Sequence, residues 1–433
     1  MKNSFFRRTT CRLCGGKKLE SVIKLVPMPI GDAYVDAEHL GEKQETFPVE
    51  VFLCRTCGHA QLLDVVDPEK IYRKYIYHTS DSTGLVEHFR KGVSSILEHA
   101  KPQKGSLVID IGSNDGSVLR CFKEQGMKVL GIDPAKDIAR KATESGIETL
   151  PELFNSKIAK EVKEKYGPAK IIVSNNTFAN INNLDEMVAG VKLLLAADGV
   201  FVVETGYVLD LLQKMIFDNI YHEHLSYFSV KPLKTFFARK GMELIDVEHV
   251  PTKGGSLRVT VQLAGGPRKK SEQVEKLIRL ETDLGLHEPQ IFKNFEVNFN
   301  NIKNQTVTLL KSLKQKGRRI IGYGASVGVT TALYNFNIGT ELLDCLVDDN
   351  PGRQGLYSPG FHIPVKSPGE LYGKNANDKN AKKPDYVIIL AWQYSEQIIK
   401  KHQEYVNQEG CFIDFLPLLK VTGKSDVTGK PNR

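Results

Sequence analysis

Two long stretches of the chain, residues 101–262 and 317–420, repeat one rhythm: a short apolar run, a glycine turn, then apolar residues at helical spacing. In the first, SLVIDIG (106–112) predicts a strand ending in glycine, and SVLRCFKEQG (117–126) a helix ending at Gly126. KVLGID (128–133), AKIIVSN (169–175) and GVFVVET (199–205) predict further strands. In the second, RRIIGYGA (318–325), LLDCLVDDNP (342–351) and DYVIILAW (385–392) follow the same design without sharing its sequence. Alternation of this kind predicts α/β architecture with a doubly wound sheet in each stretch.

The remaining segments differ. Pro68 marks a helix start, and Leu85, His88, Phe89, Val93, Ile96 and Leu97 carry helical spacing over residues 66–100. Residues 263–316 predict linking helices broken near Gly285 and Pro289, their stripe of Val274, Leu277, Ile278, Phe292, Phe295, Phe299 and Ile302 being core packing. Residues 421–433 predict a loose tail. The domains expected are 1–65, 66–262 with a helical lead-in, 317–420, and the helices of 263–316 between the last two.

Residues 1–65 are set apart by cysteine. Four of seven form Cys11-x-x-Cys14 and Cys54-x-x-Cys57, each pair followed by glycine. Two thiolates from one tight turn share a tetrahedral zinc ion, and two such pairs close a structural site. The 39 residues between Cys14 and Cys54 exceed what a compact ribbon needs, so a small subdomain is threaded there, with strands at Ser21–Val26 and Val49–Leu53.

The first glycine turn, VIDIGSNDGSVL, places Gly112 at a strand end and Gly116 at a helix start. Backbone there is open to a cofactor, and the helix N-terminus offers free N–H groups. Asp133 closes the next strand, 21 residues after Gly112, where a carboxylate accepts from ribose hydroxyls. Asn114 and Asp115 stand where a dinucleotide's pyrophosphate would press. An acid disfavours phosphate and suits a cationic, amino-acid-bearing ligand, which points to S-adenosylmethionine over NAD. The cofactor set expected is Gly112, Ser113, Asn114, Asp115, Gly116, Asp133 and Asn176. The second turn, GYGASVGVTT, fits the dinucleotide fingerprint poorly.

Composition narrows the class. Hydrophobic residues make 41% of 433 and charged residues 25%, which excludes a disordered, collagen-like or disulfide-knotted chain. The N-terminus lacks the apolar core of a secretory signal and no run suffices for a membrane span, so a cytoplasmic protein without a membrane partner is expected. The net charge of +8 is spread along the chain, which favours solubility over nucleic-acid binding.

FDNIYHEHLSYFS (217–229) is the densest polar cluster. Histidine titrates near neutrality and suits a general base, with a carboxylate or phenol to orient it. HEH lacks the i, i+4 spacing of a helical zinc pair.

Nearly the whole chain resembles the nucleotide-sugar C-methyltransferases of deoxysugar biosynthesis. The resemblance rests on the two CxxC pairs, YIYHTSDS (75–82), IGSNDG (111–116) and YHEHLSYFS (221–229), with GGSLR (254–258), GYGA (322–325) and VDDNPGRQGLYSPGFHIPV (347–365). It implies an N-terminal zinc-binding domain, a class I methyltransferase domain and a C-terminal Rossmann-like domain. It implies zinc on Cys11, Cys14, Cys54 and Cys57, and S-adenosylmethionine near Gly112, Asn114, Asp115 and Asp133. His224 matches the family's proposed base, with Tyr221, Glu223 and Tyr77 lining the sugar site. The substrate implied is a nucleotide-linked 4-keto-6-deoxy sugar, bound between the middle and C-terminal domains and methylated at the carbon beside the ketone through an enolate.

Three positions depart from the pattern: Asn180 and Lys253 stand where the family has histidine, and Val327-Gly328 where it has lysine. They leave sugar identity and attack position open. The rivals are a sugar O-methyltransferase, a non-catalytic scaffold and an RNA methyltransferase. SNNTFAN (174–180) lacks the Asn/Asp-Pro-Pro-Tyr clamp of the last. Oligomeric state is left open, a monomer included.

Overall fold

The computed structural model describes residues 4–72, 79–81, 84–373 and 382–423. The chain forms two compact units. The first takes residues 1–22, 50–211 and 223–291, the second residues 23–49, 212–222 and 292–433.

In the first unit, β1 (Phe5–Arg7) opens the cysteine-bearing part. Strands β2 (Leu19–Met28) and β3 (Phe47–Cys54) carry the chain out into the second unit and back. β4 (Ala60–Leu62) pairs antiparallel with β3, and β5 (Asp64–Val66) with β1.

The larger sheet of this unit begins with β6 (Leu107–Ile111), β7 (Lys128–Ile132), β8 (Thr149–Leu150), β9 (Ala169–Asn175) and β10 (Leu195–Gly206), mutually parallel through right-to-left neighbours β10-β9-β6-β7-β8. The short strand β11 (Ser226–Tyr227) leaves this sheet and joins β4. β12 (Met242–Val250) and β13 (Ser256–Leu263) return to it, giving among the described residues the order β12-β13-β10-β9-β6-β7-β8. β13 runs antiparallel to both its neighbours.

Central strands are apolar on both faces because helices cover both. All five residues of β6 are buried, and Asp110 is the one charge among them. The helix Leu85–Ala100 turns Leu85, Phe89, Val93, Ile96 and Ala100 inward at helical spacing and packs them with Val108, Leu119, Phe122, Ile171 and Val202. Deleting a ring such as Phe122, fully buried there, costs about 3–5 kcal/mol.

The second unit holds β14 (Ile320–Tyr323), β15 (Leu346–Val347), β16 (Val365–Lys366), β17 (Tyr386–Ile389), β18 (Cys411–Asp414) and β19 (Lys420–Thr422), in the order β16-β15-β14-β17-β18-β19. All pairs are parallel except β18–β19. The linking helices are Glu272–Asp283 and Pro289–Gln315, the break falling at Gly285 as the sequence predicts.

Each sheet reverses strand order once, between β6 and β9 and between β14 and β17, and such a switch point opens a crevice at the strand ends. In both units the strand next to the glycine turn ends in an aspartate that pins that turn. Asp133 accepts from the Asn114 and Ala135 amides at 2.8 and 2.9 Å, and Asp348 from those of Ala325 and Asn350 at 2.6 and 2.8 Å.

Candidate functional site

The two cysteine turns are built alike. The Gly15 amide donates to the Cys11 carbonyl at 2.9 Å, and the Gly58 amide to that of Cys54 at 2.8 Å, both glycines in the left-handed region. The four sulfurs lie within 4.8 Å of one another, with Cys11 and Cys57 3.7 Å apart and Cys14 and Cys54 3.5 Å. Zinc–sulfur bonds of about 2.3 Å set a tetrahedral edge near 3.8 Å, so these thiols fit a zinc ion.

At the first switch point, Gly112 and Gly116 have φ of +80° and +76°, and Asn114 lies in the same region at +48°. A Cβ on Gly112 would land well inside contact distance of Thr177 Oγ1, so the turn after β6 is closed against the loop after β9. Asn176 opens that loop at φ +56° and donates its amide to the Glu204 carbonyl at 2.8 Å. Thr79 and Ser80 meet the turn from outside. Their amides donate to Asn114 Oδ1 at 2.9 Å and Asp115 Oδ2 at 2.8 Å. Tyr77 lies outside the described residues.

Three carboxylates crowd this turn. Burial and the charges of Asp133 and Asp115 push Asp110 well above the usual carboxylate range. Its Oδ1 is buried with no hydrogen-bond partner, as is Ser113 Oγ. Burial raises Asp133 as well, while its two backbone donors oppose the rise. Burial acts upward on Asp115 too, but the donors of Ser117 and Ser80 hold it below the usual range. A dense group of acids with an orphaned carboxylate oxygen suits a cationic ligand and repels phosphate. These residues therefore fit S-adenosylmethionine, which carries a sulfonium and an ammonium.

The YHEH segment enters from a short helical turn, Phe217–Asn219, and runs into β11. His222 is buried, its Nε2 3.3 Å from the Phe47 carbonyl. Glu223 is buried, while Tyr221 and His224 are half-buried. His224 is followed at once by Leu225, whose carbonyl accepts from the Leu62 amide at 3.0 Å.

Chemistry beyond the predicted set clusters at the end of β10. The Glu204 carboxylate accepts from Arg258 Nη2 at 2.9 Å, His88 Nε2 at 2.7 Å and Thr252 Oγ1 at 3.0 Å. Burial works against this charge, but the His88 contact and the Arg258 guanidinium hold it below the usual range. GGSLR thus delivers a buried guanidinium whose partner, Glu204, also fixes Asn176 by its backbone. Asp110 and Arg12 are likewise absent from the predicted set. The signal for Asp110 was a lone acid inside the apolar run VIDI.

Comparison with known proteins places this geometry. The profile of a C-methyltransferase C-terminal domain matches residues 251–417, that of a zinc-binding domain residues 11–72, and that of a methyltransferase domain residues 85–247. The C-methyltransferase NovU of Streptomyces niveus is 31% identical over 407 residues, covering 94% of this chain and 95% of NovU. The chain belongs to the C-methyltransferase family. It is an S-adenosylmethionine-dependent enzyme with a zinc-binding N-terminal domain, a class I methyltransferase domain and a C-terminal α/β domain. Among solved structures, magnesium protoporphyrin IX methyltransferase of Synechocystis PCC 6803 aligns at 14% identity and a TM-score of 0.34, over 46% of this chain and 92% of its own. A methyltransferase of Clostridium acetobutylicum aligns at 11% identity and 0.34, over 46% and 96%. No described helix of this C-methyltransferase is long and apolar enough to cross a membrane.

Proposed function

We propose that this C-methyltransferase acts on a nucleotide-linked 4-keto-6-deoxy sugar, adding the methyl to the carbon beside the ketone. His224 is the base. The observation that carries the choice is the difference in burial between the two histidines: His222 is buried with its Nε2 3.3 Å from the Phe47 carbonyl, whereas His224 is half-buried.

Bound S-adenosylmethionine supplies an electrophilic methyl on a positively charged sulfur. Asp115, held ionised by its donors, and Asp133 answer that charge at the glycine turn, Asp110 offers a buried oxygen without a partner beneath it, and Gly112, Ser113, Gly116, Asn114 and Asn176 shape the backbone that receives it. His224 accepts the proton α to the ketone. Tyr221 or Tyr77 donates to the enolate oxygen, because a developing oxyanion is stabilised by a preorganised donor. Glu223 orients the segment. S-adenosylmethionine held at the glycine turn would supply its methyl to the enolate carbon, the carbon–sulfur bond breaking with its electron pair left on sulfur. Holding both reactants in line supplies much of the acceleration. Cys11, Cys14, Cys54 and Cys57 hold zinc in a closed site with no open position for chemistry. Asn180 Oδ1, buried with no hydrogen-bond partner, is left to accept from a substrate hydroxyl.

The test is mass spectrometry of thymidine- and uridine-diphosphate 4-keto-6-deoxy sugars incubated with enzyme and methyl donor, followed by NMR of the product. A gain of one methylene on carbon supports the reading. Methyl on oxygen, or no sugar accepted across the panel, overturns it.

A further inference from the structure

We propose that Arg12, inside the first cysteine turn, is a positioning residue for His224, clasping the base-bearing segment to the zinc-side sheet. The inference rests on His224 being the base.

The segment after His224 is a strand of that sheet. Ser226 pairs with Gln61 and Tyr227 with Ala60, and His59 Nε2 lies 3.2 Å from Ser226 Oγ. Arg12 closes the arrangement from its far side. Its amide donates to Gln61 Oε1 at 3.0 Å, and its Nη1 reaches Gln61 Oε1 at 3.2 Å, the Leu62 carbonyl, and the Leu225 carbonyl at 3.3 Å. Arg12 is 3% exposed.

Arg12 Nε and Nη2 are buried with no hydrogen-bond partner, so this guanidinium is held at a cost that only its Nη1 contacts offset, where plain packing would be served by an apolar side chain. Here one nitrogen joins carbonyls contributed by two distant parts of the chain. One of them belongs to Leu225, a single peptide beyond His224. Arg12 itself sits between Cys11 and Cys14, so the turn that holds the metal also holds the base segment. Proton abstraction is sensitive to placement at the level of about 1 Å, which gives such a clasp kinetic weight.

Arg12→Met and Arg12→Lys in the full chain test this. For each, zinc content, S-adenosylmethionine affinity by calorimetry, amide hydrogen exchange, and turnover of a thymidine-diphosphate 4-keto-6-deoxy sugar are measured. Arg12→Met is expected to keep one zinc and cofactor affinity within about twofold, while amides of Leu225–Tyr227 exchange about tenfold faster. Exchange at the glycine turn stays unchanged, and kcat falls about tenfold or more with KM little altered. Arg12→Lys, retaining charge and one reaching donor, restores part of both losses. Should Arg12→Met fail to load zinc, Arg12→Lys is read by the same criteria. Unaltered exchange at Leu225–Tyr227, or unaltered kcat beside faster exchange, overturns the proposal. His224→Ala separates the two readings: if that variant keeps full activity the base assignment fails, whatever exchange shows at Leu225.

Discussion

Asp218 offers a direct physical test of the second unit. It lies three residues before Tyr221, is buried, and takes the Trp392 indole N–H on Oδ2 at 2.7 Å, while Oδ1 has no hydrogen-bond partner. Burial pushes its pKa up to about 6 from an ordinary 3.8, with the Trp392 N–H opposing the rise. At 1.36 kcal/mol per pKa unit, the ionised form is disfavoured in the fold by about 3 kcal/mol. The folded value lies above the unfolded one, so the folded protein binds the extra proton. Stability from this group is full below about pH 4 and is lost as pH rises through about 6. Asp218→Asn keeps an acceptor for the indole and removes the ionisation. The variant should therefore gain up to about 3 kcal/mol over the parent between about pH 4 and pH 7, read by urea unfolding at both values. Trp392 is the chain's single tryptophan, so its emission reports the same proton: an inflection near pH 6 in the parent, absent in Asp218→Asn. A stability difference that does not change with pH, or an emission titration that survives the substitution, refutes the reasoning.

Three further outcomes are expected. His224→Ala should lose most turnover while calorimetry shows S-adenosylmethionine binding within about twofold of the parent, since general bases contribute about 10²–10⁴-fold. Gly112→Ala, at φ +80° with Thr177 in the way, should lower stability by about 1–3 kcal/mol in denaturant melts and weaken cofactor binding in the same calorimeter. Cys54→Ser should lose zinc by metal analysis and melt earlier, because a structural site contributes folding free energy directly.

Much of the frame was legible because it rests on local pattern. The strands of both α/β stretches, the break at Gly285 and the paired cysteine turns follow from periodicity, glycine and spacing within a few residues. What stayed hidden is long-range. The strand Ser226–Tyr227 is only two residues long, and it forms because Gln61 and Ala60 are present to pair with it. The CxxC spacing says nothing of Arg12, whose meaning lies in carbonyls at Leu62 and Leu225. Asp133 was expected to face a ribose. Its oxygens also accept from Asn114 in the glycine turn and from Ala135 in its own, the first a contact that depends on how β6 and β7 align. Asp110 drew no notice because alternation alone does not say which acid within a buried strand lacks a partner.

The division of the chain into units has an evolutionary corollary. The polypeptide passes between them five times, after Val22, Val49, Leu211, His222 and Ile291. No single recombination breakpoint can exchange one unit for a homologue's without leaving a foreign strand or turn behind. Exchange of one whole unit between relatives would need several matched breakpoints at once.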